Sequence, residues 1–229
     1  MARFVGAFRA RMSHRTATRL DAMATFIDAF DRRRREGFAS GDSAFNLFSV
    51  LGLDSDEVKH SKVLAWLLEA TAEHGAGDAF ARAFLAAAAI ELPTDALRRY
   101  RVATEYVVLE ARTDIVLCRR GNFAIYIENK VYAAEGADQV DREYRDMVRL
   151  GSALRVPSDR LFAVFLTPDG RLPTSGDATR WRPLAYSSLH HAFSEILPRV
   201  PSDKARLVVQ DWLEAITRFG GSDVEASAL

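Results

Sequence analysis

The sequence predicts an α/β fold, a central mixed β-sheet with helices on both faces. Three observations carry this reading. Apolar residues recur at helical spacing in the first ninety residues and again after residue 138. Between those stretches lie three consecutive runs rich in β-branched and aromatic residues, Val102 to Leu109, Thr113 to Arg119 and Phe123 to Val131. A further apolar run, Leu161 to Leu166, returns after a helical segment, so strands and helices share one core.

The elements follow in order. Residues Thr18 to Arg35 carry Leu20, Met23, Phe26, Ile27 and Phe30 on one helical face. This helix ends in the basic run Arg32–Arg35 before Gly37, where cations meet the negative end of the helix dipole. Residues 1–44 are thus expected to form a helical extension packed on a core of residues 45–229. A second helix is predicted from Ser55 to Ala72, with Val63, Leu64, Trp66, Leu67 and Leu68 as its contacts and Asp54 or Ser55 as its cap. Gly75 and Gly77 break it, and His74 is read as a support for that turn. A third helix covers about Asp78 to Ile90. After the three strands, a helix runs from Asp138 to Leu150, with Val140, Tyr144, Met147 and Val148 on one side. The strand Leu161 to Leu166 closes at Pro168–Asp169–Gly170. Trp181 to Tyr186 reads as a fifth strand, and helices over Ser188–Leu197 and Ser202–Phe219 finish the chain.

Composition narrows the class. The 229 residues are 48% hydrophobic, enough for a sizeable core. No apolar run approaches the roughly 18–20 residues that span a bilayer, so no membrane segment is expected. The first twenty residues are rich in arginine but lack a long apolar stretch, so secretion is not expected either. The single cysteine, Cys118, excludes an internal disulfide framework and a cysteine zinc cage, and fits a reducing cytoplasm. Its apolar neighbours mark it as a core residue. Lys and Arg balance Asp and Glu at 31 each, which argues against coating a polyanion by bulk charge but not against a local basic groove.

The chemistry concentrates in Ile125-Tyr126-Ile127-Glu128-Asn129-Lys130. The strand is apolar enough to be buried on both faces, yet ends in an acid, an amide and a base. Strand alternation puts Glu128 and Lys130 on one face about 6–7 Å apart along the strand, and turns Asn129 to the other. Asp114 interrupts the preceding strand. A two-residue Gly121–Asn122 turn would set Asp114 opposite Asn129. A three-residue loop, Arg120-Gly121-Asn122, sets it opposite Glu128 instead, with Val116 across from Tyr126 and Cys118 across from Ala124. The odd loop is the expectation. Two carboxylates so paired stand about 5 Å apart, and at an effective dielectric of 20 they repel by about 3 kcal/mol. A hard divalent cation explains that cost, because carboxylates, water and a main-chain carbonyl, here that of Asn129, suit Mg²⁺, with Mn²⁺ as a substitute. Such an ion polarises a phosphodiester and activates water, while Lys130 meets the developing charge. A plain ion pair at the sheet end is the competing explanation of the triplet.

Taken together, these residues resemble the PD-(D/E)XK nuclease superfamily, with Asp114 as the first acid and Glu128-Asn129-Lys130 as the (D/E)-x-K triplet. The stretch Asp56-Glu57-Val58-Lys59-His60-Ser61 through Leu68 is similar to the helix before the sheet in one bacterial branch, as are His74-Gly75-x-Gly77 and Ile127-Glu128-Asn129-Lys130. The resemblance spans roughly residues 45 to 190. It implies a three-layer restriction-endonuclease-like core and magnesium-dependent hydrolysis of nucleic acid. It implies Glu57 as a helix-borne acid that completes the metal site, with helix capping as the alternative. It also implies His60 and Ser61 on the same helix face toward substrate, Gln139 at the site and Arg142 on phosphate. One departure stands out: the branch pattern Q-L-x-R-Y is here Gln139-Val140-Asp141-Arg142-Glu143-Tyr144, with the tyrosine displaced by one.

The expectation is an endonuclease acting on DNA in the cytoplasm, in bacterial genome defence by resemblance. An RNA nuclease or toxin with the same centre, and a non-catalytic member that binds nucleic acid or a protein, are the alternatives. A homodimer or a complex with a partner protein stays open.

Overall fold

The computed structural model describes residues 45–108, 111–133, 135–136 and 138–219, and of residues 105–108 and 111–112 the backbone only. The expected helix over 18–35 and the extension 1–44 lie outside the described residues.

Residues 47–219 build three layers. Helices α1 (Leu47–Val50), α2 (Glu57–Leu68) and α3 (Ala79–Ala87) precede strands β1 (Arg101–Val108), β2 (Ala111–Arg119) and β3 (Phe123–Asn129). Helix α4 (Gln139–Ala153) then leads to β4 (Leu161–Thr167) and β5 (Trp181–Ala185), and α5 (Tyr186–Ser194) and α6 (Asp203–Ile216) close the fold. The strands form one sheet in chain order. The pairs β1–β2 and β2–β3 are antiparallel, whereas β3–β4 and β4–β5 are parallel. This is the mixed sheet, flanked by helices, that the sequence predicts. The differences are at the ends. Helix α1 was not predicted, and α2 is capped by Asp56, whose carboxylate accepts from the Lys59 N–H at 3.0 Å, rather than by Asp54 or Ser55.

The faces divide the apolar residues by strand parity. Ile115, Leu117, Ile125, Ile127, Val164 and Leu166 meet the larger core under α2, α3, α5 and α6. Val116, Tyr126, Ala163, Phe165 and Trp181 face the smaller core under α4. Every residue of β3 is buried, as befits a central strand with parallel pairing on one side. Helix α4 lies close to the sheet at Gly151, where a β-carbon would come within 2.6 Å of the Leu161 side chain. Among the described residues, no helix is long and apolar enough to cross a membrane.

Candidate active site

The β2–β3 hairpin sets the geometry. Arg119 pairs with Phe123, so three residues, Arg120 to Asn122, make the loop. Gly121 sits in the left-handed region at φ 70°, which glycine adopts without strain. Val116 faces Tyr126 and Cys118 faces Ala124. Because Ile115 faces Ile127, one further step puts Asp114 across from Glu128. The Asp114 carboxylate accepts from the Asn129 N–H at 2.9 Å, which ties it to the end of β3.

Glu128 and Lys130 do share a face, the one covered by α4. Lys130 Nζ lies 2.8 Å from Glu128 Oε1. Glu128 is 2% exposed, and its Oε2 is buried with no hydrogen-bond partner. Burial, then the nearby charges of Asp114 and Glu143, push its carboxyl well above the usual range, with Lys130 acting against them. Burial also opposes the charge on Lys130. Glu128, Asp114 and Glu57 more than offset it, so its ammonium is held above its ordinary value.

The first turn of α4 brings Gln139 into this group. Its side-chain N–H₂ donates to Glu128 Oε1 at 2.7 Å and to Glu143 Oε1 at 2.8 Å. Glu143 was not singled out from the sequence. It stands four residues after Gln139, where the branch pattern has its tyrosine, and is 2% exposed with its Oε2 also buried and unpartnered. Burial raises its carboxyl to about 7, against the bond from Gln139. The available signal was spacing: Gln139 and Glu143 are four apart and so share a helical face. Tyr144, one place on, points elsewhere, packing against the smaller core with the Arg180 guanidinium 4.9 Å from its ring centre.

Glu57 reaches the same strand end from the opposite layer. Its Oε1 accepts from the N–H groups of Val131, Tyr132 and Ala133 at 2.7, 2.7 and 2.9 Å. The carboxylate therefore clamps the chain where it leaves β3. Asn129 turns its side chain to this layer too: it donates to Ser61 Oγ at 3.0 Å and to the Glu57 carbonyl at 3.3 Å, and accepts from the Tyr186 hydroxyl at 2.8 Å.

His60 and Ser61 are not brought to the carboxylates. His60 is fully buried between Phe48 and Phe219, accepts from Trp212 Nε1 at 3.1 Å and bonds the Asp54 carbonyl through Nε2 at 3.2 Å. Both ring nitrogens are used, so neither is left for a phosphate. Ser61 is 3% exposed and holds Asn129. Their shared face with Glu57 is a core face, which helical spacing alone does not distinguish from a substrate face. His74 does support its turn, bonding the Glu69 carbonyl and accepting from the Ala76 N–H at 3.0 Å.

Arg142, Arg145 and Arg149 fall at helical spacing on the outer side of α4, and Arg149 pairs with the buried Asp146 at 3.0 Å. Beside them lie two adjoining clefts of about 320 and 480 Å³ that share Tyr144 and Arg180 and contain none of Asp114, Glu128 and Lys130.

Among the described residues, no three His, Cys, Asp or Glu side chains draw together as a metal cage. The donor set nonetheless suits a hard cation. It offers carboxylate oxygens from two paired strands, and the buried Glu128 Oε2 lacks any partner.

A mixed five-stranded sheet between helical layers, with an acid facing an acid-x-Lys strand end, defines a restriction-endonuclease-like core. The sequence profile of the PD-(D/E)XK nuclease superfamily matches residues 45–215, and the chain belongs to that superfamily. Its members are nucleases that generally use divalent metals, and the class of substrate is nucleic acid. Neither the curated proteins nor the solved structures give a match.

Proposed function

We propose that this protein is a metal-dependent endonuclease that hydrolyses phosphodiester bonds in DNA. The observation that supports it most is the Glu128–Lys130 pair at 2.8 Å, buried at the end of β3 with Asp114 across the strand. Asp114, Glu128 and the main-chain carbonyl of Asn129 would hold Mg²⁺, or Mn²⁺ in its place. When bound, the ion supplies Lewis-acid polarisation of the phosphate and a more acidic water.

The chain's own residues do the rest. Lys130 is held against Glu128 and 11% exposed, so its ammonium presents a fixed positive charge where charge develops on the phosphate. Glu57 fixes the backbone just beyond Lys130 through three N–H bonds and so orients that lysine. In the absence of metal, Gln139 holds one oxygen of Glu128. Arg142, with Arg145 and Arg149 in the same stripe, meets the phosphate backbone of the substrate beyond the scissile bond. A water oxygen bonds to phosphorus as the P–O bond to the leaving nucleotide breaks, and the leaving oxygen takes up a proton.

Purified protein is expected to nick plasmid DNA with Mg²⁺ or Mn²⁺ and to lose this in Lys130→Ala. Unchanged cutting by that variant overturns the assignment. DNA and RNA offered together separate the polymers, and preferential loss of RNA would replace DNA as the substrate. A role in bacterial defence in the cytoplasm rests on the superfamily branch alone. Equal phage plating on cells expressing wild type and Lys130→Ala would remove it.

A further inference from the structure

Between the sheet and α4, the charges of Asp114, Glu128 and Glu143 act on one another and on a single ammonium, Lys130. Glu143 is the member that the Asp114–Glu128–Lys130 arrangement does not require. A buried glutamate set between a neutral amide and the carboxyl of Glu128, with Lys130 the one nearby countercharge and already held at 2.8 Å by Glu128, is costly to keep charged.

Three features say what the position is suited to. First, Gln139 Nε2 donates to Glu128 Oε1 and Glu143 Oε1 at 2.7 and 2.8 Å, so one electropositive group holds one oxygen of each carboxylate. Second, the remaining oxygen of each carboxylate is buried and unpartnered. An unmet buried acceptor costs about 1–3 kcal/mol, and more when charged. Third, both side chains are 2% exposed, so bulk water does not meet the need. Two carboxylates gathered around one neutral N–H₂ donor, each with an oxygen to spare, match the hard oxygen donors that a divalent cation takes.

We propose that Glu143 is a cation ligand, sharing a divalent ion with Glu128, and that the Gln139 side chain stands in the ion's place until the ion arrives. This rests on the metal-dependent reading above. With an ion bound, Gln139 would give up its two bonds and Glu143 would offer the ion its second oxygen. Helix α4 thereby contributes a protein ligand to a centre otherwise built from β2 and β3.

The test is Mn²⁺ binding to the full chain without nucleic acid, read by calorimetry and by the electron paramagnetic resonance signal of free Mn²⁺. Wild type is compared with Glu143→Gln, Gln139→Ala and Asp114→Asn, each checked for an intact melting transition. Glu143→Gln is expected to weaken Mn²⁺ binding at least tenfold, in the range seen when groups supporting a metal are removed. Gln139→Ala is expected to leave binding unchanged or tighten it, since the amide competes with the ion for the same two carboxylates. Should Glu143→Gln fail to fold, Glu143→Asp, which keeps the charge but withdraws it by one methylene, is expected to weaken binding in the same direction. Binding by Glu143→Gln within twofold of wild type, with Asp114→Asn impaired, overturns the role of Glu143 and leaves the nuclease reading intact. Equal weakening in Glu143→Gln and Gln139→Ala also overturns it, because Glu143 would then act only by holding Gln139. No Mn²⁺ binding by wild type overturns this inference and the metal-dependent reading together.

Discussion

Glu57 is where two explanations of one residue give opposite results. As a clamp, its Oε1 accepts three main-chain N–H bonds from consecutive residues just past the Glu128-Asn129-Lys130 triplet. As a metal ligand, it would matter little to folding without metal. Val131 is buried, while Tyr132 and Ala133 are exposed. Glu57→Ala therefore strands one buried donor and releases two that water can reach. A stranded buried donor costs about 1–3 kcal/mol, and the two exposed bonds add a few tenths each, so the loss is about 2–3 kcal/mol. Glu57→Gln keeps an acceptor oxygen but loses the charge. Since charge-assisted bonds are roughly twice as strong as neutral ones, it should lose about half as much. The assay is urea unfolding of the metal-free protein, joined to amide hydrogen exchange at residues 131–133. The order wild type, Glu57→Gln, Glu57→Ala is expected in both readouts, with unchanged m-values. Stability and exchange that match wild type in Glu57→Ala, alongside lost Mn²⁺ binding, would refute the clamp and restore Glu57 as a ligand.

Two further outcomes follow from the buried polar groups. Trp212 donates to His60 Nδ1, and the Ala76 N–H donates to His74 Nδ1, so both imidazoles are neutral with the proton on Nε2. Burial lowers both below the ordinary histidine value, against the carbonyls of Asp54 and Glu69 that favour the charged form. Between the folded values and about 6.5, the unfolded chain binds protons that the folded chain does not. Their contribution to stability is thus complete above about pH 6.5 and falls as pH drops, by up to about 1.4 kcal/mol per unit for each ring. Nitrogen-15 imidazole spectra at pH 6 should show the neutral Nε2–H form for both, and a protonated ring in either would contradict the assignment. Tyr186→Phe removes the hydroxyl that donates to Asn129 Oδ1 at 2.8 Å in a buried setting, and should cost about 1–3 kcal/mol in urea unfolding. No loss would mean that Asn129 is held by Ser61 and α2 alone.

Much of the fold was legible because its signals are local. β3 reads as a fully buried strand because the five positions before Glu128, Phe123 to Ile127, are all apolar, and α4 declares itself by period. The register of β2 on β3 was legible too, because side chains alternate and only a loop of odd length avoids placing Asp114 against Asn129. What sequence did not yield is the cap of α2. Asp54, Ser55 and Asp56 are all cap-forming residues, and the choice of Asp56 depends on backbone geometry, extended at that residue, rather than on residue type. Asp54 is used elsewhere, accepting from Ser49 at 2.9 Å and through its carbonyl from His60.

The site shows the same division more sharply. Spacing reports that two residues share a face, but not what that face meets. Glu57, His60 and Ser61 are neighbours on α2, and the helix lies against the larger core, so His60 and Ser61 are spent on Trp212 and Asn129. Glu57, in the first turn of α2, reaches beyond Asn129 to the chain leaving β3. On α4 the reverse holds. Gln139 and Glu143 share a face that looks at Glu128, yet a glutamate in an amphipathic helix with Arg142 and Arg145 beside it reads as a solvated charge. Its meaning appears only once β2 and β3 are placed beneath it. A carboxylate that is nearly sealed from solvent, bonded to an amide and unmet at its second oxygen, is unstable as a surface charge and has no apolar role. Its presence is intelligible as part of a centre whose charge is completed by something the protein binds.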